Sequence, residues 1–81
     1  MIDPQNIDTE EVRDFDTDGV FVHARFRASL AVVVSREELM DNPQALTEAR
    51  RKAIKALSEN PDAYSVGVGA RAMRIPAKDL P

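Results

Sequence analysis

The chain has 81 residues, 14 acidic against 11 basic, a net charge of -3 and no cysteine. That length makes one small domain with a modest core, the absence of cysteine excludes disulfide and thiolate chemistry, and the acidic balance argues against a dedicated nucleic-acid binder. No apolar run approaches the ~20 residues of a membrane span and no signal peptide opens the chain, so a cytoplasmic protein is expected, or a virion component if the source is viral.

Residues 1–18 form an acidic arm, with Asp3, Asp8, Glu10, Glu11, Asp14, Asp16 and Asp18 against Arg13 alone. Two readings compete there. Asp8 as N-cap, Glu11 at N3 and an Ile7–Val12 staple would open a short helix. Asp16-Thr17-Asp18-Gly19 is turn chemistry that would instead close a hairpin with the next segment. A four-residue loop sets Glu10 opposite Arg25 and Asp8 opposite Arg27, which pairs opposite charges. A three-residue loop sets Glu11 opposite Arg25. We favour the hairpin, although either register puts Arg13 or Asp14 on the apolar face.

The same acidic stretch, Asp14-x-Asp16-x-Asp18-Gly19, matches the first half of a calcium-binding loop. The twelfth position, where such a loop needs a bidentate Glu, is Arg25, and the exit is a strand. The expected reading is a solvated turn with no metal.

Residues 20–34 are the most regular part of the chain. Val20, Val22, Ala24, Phe26, Ala28, Leu30, Val32 and Val34 alternate with His23, Arg25, Arg27 and Ser29. A period of two marks a strand with one buried face. Uninterrupted, it would run for roughly 50 Å at ~3.3 Å per residue, whereas a domain of this size is about 30 Å across. The reading is a long amphipathic strand that outruns its cover unless it bends or bulges.

Ser35 and Glu38 then form a capping box. Asn42 and Pro43 read as N-cap and first residue of the main helix, which ends near Ser58. Leu46, Ala49, Ala53, Ile54, Ala56 and Leu57 share its inner side. Arg51, Lys52 and Lys55 point outward, and Arg50 sits at the border, where its stem can lie along apolar surface. A last strand is expected from Ala63 to about Ile75, with Gly67 and Gly69 baring one face and a bulge near Ala72 correcting its phase. Residues 76–81 read as a tail.

The sum is a single α+β domain over 1–81. A small three-stranded sheet, ββαβ (or αβαβ if the N-terminal segment is helical), carries one main helix on one face. A helix over 43–58 is about 24 Å long and covers only half of so long a strand. The uncovered remainder makes Val20, Val22, Leu30, Val32 and Val34 the expected interface. The function expected is a non-enzymatic structural or interaction protein, paired with itself or with other subunits through a sheet edge and that apolar face. The chain has the look of small accessory or assembly proteins, including those of bacterial viruses, without a motif that singles out a family. Two alternatives are a nucleic-acid binder using His23, Arg25, Arg27 and Arg71, and an inhibitor or adaptor docking on a host enzyme through the acidic arm. One histidine, no cysteine and no phosphate loop give no support to catalysis, and no cofactor is expected.

Overall fold

The computed structural model describes residues 3–16, 18–26, 29–60 and 73–80. A 3-10 turn at Pro4–Asn6 leads into β1 (Asp8–Arg13), followed by β2 (Val20–Arg25), β3 (Ser29–Val34), α1 (Arg36–Asp41), α2 (Ala45–Glu59), β4 (Met73–Pro76) and a second 3-10 turn at Ala77–Asp79. The strands form one mixed sheet in the order β1-β2-β3-β4. The first two pairings are antiparallel, and β4 runs parallel to β3. The fold is thus α+β with one main helix, but among the described residues the sheet has four strands where three were expected.

The extra strand comes from residues 20–34, which are two strands and not one. β2 and β3 pair as a hairpin with Val20 opposite Val34 and Arg25 opposite Ser29. Three residues separate the last pair, so even positions face even positions and the alternation passes through the reversal without a phase change. The longest dimension of the molecule is 33 Å, too short for the uninterrupted strand. Side-chain period reports which face a residue takes and is silent about chain direction.

The hairpin also settles what covers the apolar face. α2 packs across β2 and β3. Val22, Ala24, Leu30, Val32 and Val34 are fully buried under it, together with Ala49, Ala53 and Leu57. Val20, Leu39, Leu46, Ile54, Ile75 and Leu80 pack around this core. Alanines at 45, 49, 53 and 56 keep the helix surface low, so the sheet can approach it closely.

At the N-terminus the hairpin reading holds over the helical one. Asp14 N–H donates to Gly19 O at 2.9 Å and closes the β1–β2 loop. The register is neither of the two expected: Asp8 faces Arg25 and Glu10 faces His23, two residues from the four-residue-loop register and three from the three-residue-loop one. A two-residue slip preserves the faces, so Glu10 still reaches Arg25 diagonally, at 2.9 Å. Thr9, Glu11 and Arg13 fall on the helix side. This is tolerated on an edge strand because Glu11 accepts a hydrogen bond from Arg50 Nη2 of α2 at 2.6 Å.

Ser35 caps α1 as expected, its Oγ accepting from Glu38 N–H at 3.2 Å. α2 begins at Ala45, three residues after the expected cap. Asn42 ends α1 instead and holds the intervening turn, its Oδ1 accepting from Gln44 N–H at 2.9 Å. The segment expected as a tail is docked: Ala77 is buried and its carbonyl accepts from Lys52 Nζ at 3.1 Å. Arg74 lies between strand neighbours Met73 and Ile75, and Ile75 packs on the core. The end of the strand expected from Ala63 to about Ile75 is present as β4, and its part up to residue 72, with the glycine pair and the bulge near Ala72, lies outside the described residues.

Candidate functional site

α2 covers one face of the sheet, and no described helix packs on the other. The strand registers define that helix-free face row by row. Val12, Phe21, Val33 and Pro76 are successive partners across all four strands, which makes an apolar row. The next row is Glu10, His23, Ala31 and Arg74. Beyond it lie Asp8, Arg25 and Ser29. Phe21 and Val33 are half-buried, Val12 is 38 % exposed, and the charged side chains of the rim are exposed. The helix-free face thus carries an apolar strip beside a charged one.

The two rows are tied together by their side chains. Arg74 places its guanidinium carbon 4.5 Å from the centroid of the Phe21 ring, and His23 meets the same ring edge-on at 6.2 Å. Burial lowers the pKa of His23 below its ordinary 6.5, the Arg25 guanidinium lowers it further, Glu10 opposes, and Arg74 adds a smaller lowering. The imidazole is therefore biased toward its neutral form.

The structure redistributes the residues expected to act. Val22, Leu30, Val32 and Val34 are core under the chain's own helix, and Val20 packs at its margin, so their geometry no longer calls for a partner to cover them. His23 and Arg25 do lie on the helix-free face, and Arg74 joins them from β4. Arg27 and Arg71 lie outside the described residues. In the acidic loop, Asp14 Oδ1 accepts from Asp16 N–H at 3.1 Å, and the Asp18 carboxylate stands between Arg13 and Arg36 at 3.9 and 3.7 Å. Among the described residues no cluster of three acids or histidines is placed to hold a metal.

Sequence reasoning missed the apolar row. Its signal was present: the polar set of odd positions ends at Ser29, and Phe21, Ala31 and Val33 are apolar where a solvated face would be polar. A single long strand hid this, because Phe21 and Val33 then lie at opposite ends. In the hairpin they are partners.

Concavities among the described residues lie along α2. A crevice of about 220 Å³ lies between α1, α2 and the last 3-10 turn, where Asn42 donates to Glu48 at 3.2 Å. An open groove of about 470 Å³ runs along the other flank of α2 beside Pro4. Among the described residues no helix is long and apolar enough to cross a membrane. No protein-family model matches the chain, and neither a characterised relative nor a solved structure similar to it is found.

Proposed function

We propose that this chain is a non-enzymatic structural or interaction protein. It works as a homo-oligomer or as a subunit of a larger assembly, in the cytoplasm or in a virion. The observation that carries this reading is the apolar row Val12–Phe21–Val33–Pro76 on the face that α2 leaves open. Lone exposed apolar residues need no partner, but a contiguous strip across four strands is what a docking surface supplies. Phosphate recognition fits the same face less well. Arg25 is engaged by Glu10, the Phe21 ring by Arg74, and single-strand binders stack bases on several aromatics.

The experiment is sedimentation equilibrium at micromolar concentration on the wild type and on Val33→Glu, with circular dichroism to confirm folding. The wild type should exceed the 9.0 kDa monomer mass, and Val33→Glu should return it toward monomer. A folded Val33→Glu chain with unchanged association removes this face from the proposal.

A further inference from the structure

A second pair of surfaces lies away from the helix-free face. At the β1–β2 loop, Phe15 is 83 % exposed, even with the Arg13 guanidinium 5.7 Å from its ring centroid. It sits between Asp14 and Asp16, with Asp18 two residues further on. The chain therefore holds out an aromatic ring inside an acidic tip. A large apolar side chain this exposed gains most by burial in another molecule.

The groove beside Pro4 is the complement. Thr47, Arg50, Arg51, Ile54, Lys55 and Ser58 line it. Their spacing of three and four residues is one continuous stripe of α2. The lining is almost wholly carbon, and the three basic residues among it, Arg50, Arg51 and Lys55, are exposed, as long side chains are when an apolar stem lies along a surface and the charge stays in water. Arg50 is held by Glu11. Among the described residues Arg51 and Lys55 have no acidic partner within 4 Å. At about 470 Å³ the groove falls in the range of pockets that accept small ligands, roughly 300–1,000 Å³, and admits one aromatic ring with its flanking backbone.

We infer that the acidic Phe15 tip of one copy docks in the basic-rimmed groove of a second copy. The chain's own tip is not the occupant. Pro4 precedes β1 and the tip follows it, with the whole strand between them, whose five steps from Asp8 to Arg13 span about 17 Å. The Asp18–Arg36 pair further anchors the tip toward α1. Phe15 fills the groove, and Asp14 and Asp16 face Arg51 and Lys55. Because tip and groove are different patches, the contact is head-to-tail and propagates into a ring or an open chain of subunits. This contact uses none of the residues of the apolar row, so it stands apart from the docking face proposed above.

The test is charge reversal and its rescue, read by sedimentation. Phe15→Ala and Asp16→Lys change exposed residues and should leave the circular dichroism spectrum intact. Each should weaken self-association about tenfold or more, as should Arg51→Glu on the groove side. Mixing the Asp16→Lys chain with the Arg51→Glu chain should restore association that neither shows alone. Added salt should weaken the wild-type contact. Association lost in Val33→Glu but unchanged in Phe15→Ala and Arg51→Glu overturns the head-to-tail contact and leaves the sheet face standing. Loss in Phe15→Ala and Arg51→Glu with rescue on mixing, and no effect of Val33→Glu, does the reverse. Single-variant losses without rescue on mixing also overturn it.

Discussion

The guanidinium of Arg74 lies 4.5 Å from the centre of the Phe21 ring, so a residue of β4 reaches a residue of β2 across the intervening strand. Ala31, the partner of both His23 and Arg74, makes this reach feasible because its methyl group leaves the space above β3 open. The contact fastens the short β4 to the hairpin. An exposed cation–π pair contributes about 0.5–1 kcal/mol. Arg74→Gln and Phe21→Leu should each lower stability in urea denaturation, and the double variant should show a coupling of about that size. A coupling of zero would mean that the stacking has no energetic weight.

Glu11 and Arg50 fasten the other edge. Glu11 points to the helix side of an edge strand, where an unpaired carboxylate would stand beside the core, and Arg50 Nη2 meets it at 2.6 Å. Both side chains are partly exposed, so the pair is worth at most about 1 kcal/mol. Glu11→Gln should destabilise by that much in low salt, and the difference from wild type should shrink in about 1 M salt. A difference that persists in high salt would point to packing and not charge.

The main helix and the Ser35 cap of α1 were legible in the sequence because they depend on neighbours in the chain, whereas the cap expected of Asn42 on α2 was not borne out. Ser35 reaches Glu38 N–H within one turn, and the apolar positions of α2 repeat at helical spacing. The β1–β2 hairpin was legible for the same local reason, through its Asp-Gly turn. The β2–β3 reversal was not, because no Gly, Pro or Asn stands between Arg25 and Ser29, and the odd-numbered connection keeps the alternation in phase. The helix-free face depended on that reversal. Phe21 and Val33 become neighbours only when the hairpin folds, so the apolar row existed in the sequence as two separate exceptions to a polar pattern.

Ala53 shows how closely α2 lies on the sheet. It is fully buried between the helix and β2–β3, as is Leu57 one turn later. Small side chains at 49, 53 and 56 set the helix–sheet distance, and a larger one must push the layers apart. Ala53→Leu should destabilise by roughly 1–3 kcal/mol. Leu57→Ala should cost roughly 2–5 kcal/mol through lost burial and a cavity. Chemical denaturation measures both, and a neutral Ala53→Leu would show that the layers are not in close contact there.

Asp18 adopts a positive φ of 57°, unusual for a residue with a side chain. Asp tolerates this better than most residues, and here its carboxylate also faces Arg13 and Arg36. Removing the carboxylate and keeping a Cβ gives up both compensations. Asp18→Ala should lose about 1 kcal/mol, and Asp18→Gly should recover most of that, although it also lacks the carboxylate, because glycine enters this region without steric cost. Equal losses in the two variants would assign the effect to the ion pairs alone.

His23 makes the stability of the sheet depend on pH. Burial and the neighbouring Arg25 depress its folded-state pKa below 6.5, with Arg74 in the same direction and Glu10 opposed. The unfolded chain therefore binds more protons than the folded one between the depressed value and 6.5, and stability rises with pH across that window. The contribution is complete above about pH 6.5 and is lost as pH falls through the folded value, because a charged imidazole must then sit half-buried beside two guanidinium groups. Thermal melts from about pH 8 down to about pH 5 should show the wild type losing stability across this window more steeply than His23→Gln, which cannot take up the proton. Parallel pH profiles for the two chains would show that the imidazole is as well solvated in the fold as outside it.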